Sequence, residues 1–126
     1  MDSRHDISDL ADIRLLVHSF YSKVRENELL NPVFQEAIGD RWPEHLDKMV
    51  RFWETILLED YTYSGNPLLH HLPLPIDGTH FSQWLELFHQ TIDEHFSGEK
   101  ARTAHDRAEK MRLVLETKIR QFKAGQ

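Results

Sequence analysis

No cysteine occurs in this chain of 126 residues. Disulfides, a thiolate nucleophile and any zinc or iron–sulfur centre held by cysteine are therefore excluded. Long apolar runs are also missing, and none approaches the roughly 18 residues of a membrane span. The opening residues, Met1-Asp2-Ser3-Arg4-His5-Asp6, are polar and partly acidic, unlike a secretory leader. Positive charge is scarce. Lys and Arg number 15 against 21 Asp and Glu, a net charge of −6, and the pI is near 5.8. With no basic cluster, neither nucleic acid nor an anionic membrane is expected as the main partner. The expected compartment is the cytoplasm. Internal repeats, low-complexity tracts and linkers are absent as well. The length fits a single domain over residues 1–126, with room for one internal cofactor.

What is present is helical periodicity. Leu10, Ile13, Val17, Phe20, Tyr21 and Val24 recur at helical spacing, which predicts a first helix over about Ser8 to Glu28, with Ser8 able to cap it. Asn31-Pro32 is expected to end it, and Val33-Phe34 to start a short apolar turn. A second helix is expected from Pro43, a favoured first-turn residue, to about Leu58. His45, Met49, Phe52, Trp53 and Ile56 share one of its faces. Between Glu59 and Gly78 the pattern breaks, because Gly65, Pro67, Pro73 and Pro75 leave room for one or two turns around Pro67 to Leu72. A third helix is expected over Thr79 to Phe96, with Phe81, Trp84, Leu85, Phe88 and Ile92 inward. The last is expected from near Ser97 to about Lys123. No segment alternates with a strand's period, so the fold class is all-α.

Histidine is plentiful, with nine in the chain. Two histidine-bearing segments, Trp42-Pro43-Glu44-His45 and Gly65-Asn66-Pro67-Leu68-Leu69-His70-His71-Leu72-Pro73-Leu74-Pro75, are each embedded in large apolar side chains. A flat apolar cofactor with a central metal needs that combination: one imidazole on the metal, and a polar group across an otherwise apolar slot. Pro67 starts a turn that puts His71 on its own face and His70 about 100° away, so His71 is the expected ligand. The two remain exchangeable by a one-residue slip, and both could also be surface loop residues. His45 opens an apolar stripe, where it is either a core residue satisfied by a hydrogen bond, a gate beside the ligand pocket, or a sixth ligand. Tyr21 and Trp84 pose the same choice between core filling and donation to a bound ligand. Phe34, Met49, Phe52, Trp53, Phe81, Leu85 and Phe88 read as plain core one by one and as porphyrin walls taken together.

Several segments then carry a resemblance. Phe20-Tyr21-Ser22-Lys23-Val24, Leu30-Asn31-Pro32-Val33-Phe34, Trp42-Pro43-Glu44-His45-Leu46, Phe52-Trp53, Gly65 to Leu72, and His80 to Phe88 resemble, in order and spacing, the truncated haemoglobins of group III. The likeness runs from about Asp6 to Gln121. It implies a two-over-two helical sandwich around haem b (iron protoporphyrin IX). It implies His71 as proximal ligand, Tyr21 as distal tyrosine, and His45 as a distal histidine that points in or out. Trp84 would be the tryptophan that donates to the ligand, with Met49, Phe52 and Trp53 as distal-helix pocket residues. Lys48 is either a propionate partner or solvated.

The expected function is binding of dioxygen, nitric oxide and carbon monoxide. Tyr and Trp donors slow dioxygen release, which suits redox chemistry on dioxygen, nitric oxide or peroxide better than transport. A nitric oxide dioxygenase or peroxidase-like enzyme with a partner reductase is one form of that expectation, with Tyr21, His45 and Trp84 as its catalytic groups. The alternative is a sensor or interaction module, with or without haem. A monomer or weak dimer is expected.

Overall fold

The computed structural model describes residues 4–59 and 76–124, apart from the side chain of residue 123. Five helices make up the described chain: α1 Leu10–Glu26, α2 Asn31–Ile38, α3 Trp42–Leu58, α4 Gly78–His95 and α5 Glu99–Ala124. α1 packs on α2, α3 and α4, while α5 packs on α4 and α3. The α1/α3 pair therefore lies against the α4/α5 pair, and the fold class is all-α, as expected.

Each helix starts for a local reason. Asp9, not Ser8, caps α1, because its side chain accepts from the Asp12 backbone N–H. Ser8 instead donates both its backbone N–H and its hydroxyl to the Asp12 carboxylate, at 2.9 and 3.1 Å. The stretch around Val33-Phe34 is not a turn but a helix of eight residues. The Asn27 side chain accepts from the backbone N–H groups of Leu29 and Leu30, both at 3.0 Å, and turns the chain there. Pro32 then sits in the first turn of α2, where its missing N–H costs nothing. Pro43 plays the same part in α3. At α4 the Asp77 side chain accepts from the Thr79 and His80 backbone, and His80 reaches back to the Asp77 N–H in a capping box.

The longest helix, α5, is capped from outside its own neighbourhood. Gly98, just before it, has φ of 139° and no side chain to offer. The Asp6 carboxylate takes the place of a cap, accepting from the N–H groups of Lys100 and Ala101 at 2.9 Å each. A Cβ on Gly98 would lie 2.6 Å from the Asp6 carboxyl carbon. The N-terminal segment is sewn down alongside: Ser97 N–H donates to the His5 carbonyl, and Arg4 donates to the Asp93 carbonyl. Burial raises the Asp6 pKa, but the bonds from Lys100, Ala101 and Ile7 outweigh it and hold the carboxyl below its usual 3.8. Asp6→Ala should cost about 1–2 kcal/mol in urea unfolding at pH 7. A depressed carboxylate stabilises above its unfolded pKa, so the gap between wild type and variant should close as pH falls below 3.8. A gap that is absent at pH 7 would show the cap to be idle.

The main core joins Ile13, Leu16, Val17, Phe20 and Val24 of α1 to Trp53 and Leu57 of α3, Phe88 and Ile92 of α4, and Ala104 and Ala108 of α5. The small alanines let α5 approach closely. A second, smaller cluster gathers Ile76, Phe81, Leu115 and Ile119. Phe88 is the hub of the aromatic packing. It stacks on Trp53 at 4.8 Å and on Trp84 at 5.7 Å, and meets Phe20 edge-on at 5.1 Å.

Candidate functional site

A cavity of about 340 Å³ opens between α1, α2, α3 and the inner faces of α4 and α5. Tyr21, Phe34, His45, Met49, Phe52, Trp53 and Trp84, all singled out from the sequence, line it. Phe81 does not. It sits in the first turn of α4 and packs with Ile76, Leu115 and Ile119, the first two of which line the cavity. His71 and its neighbour His70 lie outside the described residues. The chain that follows them rejoins the described structure at Ile76, which is buried and lines the cavity.

Other walls come from residues that sequence periodicity did not single out as site residues. Val33, Ala37 and Ile38 enter through α2, and Phe20, Met111 and Leu115 through α1 and α5. The signal for the α2 group was Pro32, read as a helix stop when it is a helix start. Arg41, Glu44 and Lys48 form the rim and are exposed.

The polar groups are few and concentrated. Tyr21 is buried, and burial pushes its phenol well above the usual tyrosine range, so it is a neutral O–H donor. Its ring meets His45 edge-on at 5.0 Å. The His45 Nε2 atom is buried. Trp84, on α4, stacks on Phe88 and meets Phe20 edge-on at 5.8 Å. Helical spacing accounts for the grouping. Tyr21 is on the inner face of α1, while His45, Met49 and Phe52 follow one another along a single face of α3.

A family model described as bacterial-like globin matches residues 6–118. A group 3 truncated hemoglobin of Campylobacter jejuni is 37% identical over 101 residues, which are 77% of this chain and 80% of the relative. The chain belongs to the group III truncated haemoglobins. A crystal structure of a group III truncated hemoglobin from Campylobacter jejuni matches with a TM-score of 0.83 at 31% identity, over 92% of this chain and 94% of that one. Membership of a globin family brings haem binding and diatomic gas ligands with it.

The residues of this truncated haemoglobin fit that group. Among the described residues no set of three or more His, Asp or Glu could hold a bare metal ion. A porphyrin needs no such set, since it supplies four nitrogens itself and asks the protein for imidazole and for apolar walls. The aromatic and aliphatic lining supplies those walls, within the usual size of a cofactor pocket. The exposed Arg41 and Lys48 stand at the mouth, where a cofactor's carboxylates would meet solvent.

Proposed function

We propose that this truncated haemoglobin holds haem b and works on diatomic ligands, detoxifying nitric oxide, dioxygen or peroxide with electrons from a reductase, rather than carrying oxygen. The observation that carries this reading is the presence of Tyr21, His45 and Trp84 in one cavity whose other walls are apolar and whose charged residues, Arg41, Glu44 and Lys48, are exposed. Haem, when bound, supplies an iron centre that takes gases and passes electrons. His71 is the proposed axial ligand, on the sequence pattern of Pro67 to Pro75.

The described residues have three tasks. Phe34, Phe52, Trp53 and Met49 exclude water, which strengthens every polar contact inside. Tyr21 keeps its proton, so its hydroxyl donates to a ligand oxygen and cannot compete as a phenolate. Trp84 has only a donor, and His45 can donate or accept according to its tautomer. Each such hydrogen bond contributes about 1 kcal/mol, and more when the acceptor carries charge. Donors of this kind hold dioxygen back from release, which hinders a carrier and helps a catalyst.

The reading is tested by absorption spectra of the purified protein in ferric, ferrous and carbon monoxide forms. A Soret band that shifts with carbon monoxide is expected. His71→Ala should lose most of its haem while its far-ultraviolet dichroism stays native. A protein that stays colourless when given hemin would end the proposal. Turnover of nitric oxide or peroxide with a reductant no faster than free haem would remove its enzymatic part.

A further inference from the structure

We infer that Trp42 is a positioning residue for His45 and Tyr21, and that Arg25 and Gln35 set its grip. The inference rests on the cavity reading above and goes beyond the residues that line it. Trp42 opens α3, is buried, and does not itself line the cavity. Its indole meets Tyr21 edge-on at 5.8 Å and His45 edge-on at 5.8 Å. With the contact between Tyr21 and His45 the three rings close a triangle, each edge-on to the other two.

The triangle is tied from behind by two further groups. The Trp42 Nε1–H donates to Gln35 Oε1 of α2 at 3.3 Å. The Arg25 guanidinium of α1 lies 4.9 Å from the indole centroid, a cation–π contact. Local spacing produces the arrangement. Tyr21 and Arg25 are one turn apart on α1, and Trp42 and His45 one turn apart on α3, so each pair shares a face. One indole therefore links three helices at the point where two cavity donors stand.

The physical consequence concerns His45. A histidine at the start of an apolar stripe, next to an exposed rim, has an easy path to solvent. The Trp42 ring occupies the space beside the imidazole and favours the inward rotamer. Taking the ring away frees that space. Taking Arg25 away weakens the hold on the ring and leaves the space filled.

The test uses the haem-free protein first, with diethyl pyrocarbonate and mass spectrometry to read the modification rate of each histidine. Trp42→Leu should raise the His45 rate about tenfold, because protection reports local opening. Arg25→Gln, at an exposed position, should raise it about two- to fivefold, the worth of an exposed cation–π contact. Trp42→Phe should return the rate toward wild type, and exposed His18 should not change in any variant. An unchanged His45 rate in folded Trp42→Leu would overturn the inference. So would a rise of all histidines together, which marks general loosening. If Trp42→Leu does not fold, Arg25→Gln and Gln35→Leu carry the same comparison, and an unchanged His45 rate in both overturns the inference. In haem-loaded protein, Trp42→Leu should speed dioxygen release, with Trp42→Phe restoring it. A wild type that takes no haem would retire the proposed function and leave the His45 comparison readable.

Discussion

Tyr21→Phe is expected to speed dioxygen release about 10- to 150-fold, with the fold intact. The magnitude follows from one hydrogen bond to a charged acceptor, about 1.5–3 kcal/mol, at roughly a factor of ten per 1.4 kcal/mol. Phenylalanine keeps the ring, and with it the edge contacts to Phe20, Phe34, Trp42 and His45. Stability should change by no more than about 1.5 kcal/mol, the net worth of one ordinary hydrogen bond. Stopped-flow displacement of dioxygen by carbon monoxide gives the release rate, and urea unfolding gives the stability. A release rate within twofold of wild type would show that the hydroxyl does not touch the ligand. Trp84→Phe, tested beside it, separates the two donors: equal effects mean shared work, and a null effect leaves Trp84 as a wall.

Phe88→Ala is expected to cost about 3–5 kcal/mol of unfolding free energy, the usual range for a buried phenylalanine. Domains of this size have only about 5–15 kcal/mol in total. Phe88 is 1% exposed and is wedged between Trp53, Trp84 and Phe20. Its loss removes transfer free energy and also leaves a hole that two indoles border. Because Trp53 and Trp84 line the cavity, the damage should reach the site, and the variant should hold haem less tightly. The midpoint of urea unfolding should fall with an unchanged slope. Phe122→Ala is the matched control, since Phe122 is 40% exposed near the end of α5. It should stay within about 0.5 kcal/mol of wild type. Equal costs for the two substitutions would contradict the hub role of Phe88.

Most of the helices were legible because their apolar residues repeat at the helical period. The inner face of α1, from Ile13 to Val24, and that of α3, from His45 to Trp53, needed nothing else. α2 was not legible. Asn31-Pro32 has the same appearance whether it closes one helix or opens the next, and the turn held by the Asn27 side chain decides between them. Periodicity places the start of α5 only near Ser97; it lies at Glu99, where the cap comes from Asp6, which no local window contains. Phe81 shares a stripe with Trp84 and Phe88, yet of the three only Trp84 lines the cavity, and Phe81 packs behind the lining residues Ile76 and Leu115. Periodicity reports which face is buried and is silent on what occupies each level along it.

The carboxylate that begins α5 has a kinetic implication. Asp6 and Lys100 are 94 positions apart, and contacts of such long range slow folding because the intervening loop must close first. During synthesis, Asp6 waits until Lys100 and Ala101 have left the ribosome before it can cap α5. The longest helix is thus finished by a segment that precedes the first helix. A change in the backbone around Asp6 would be felt first at the start of α5.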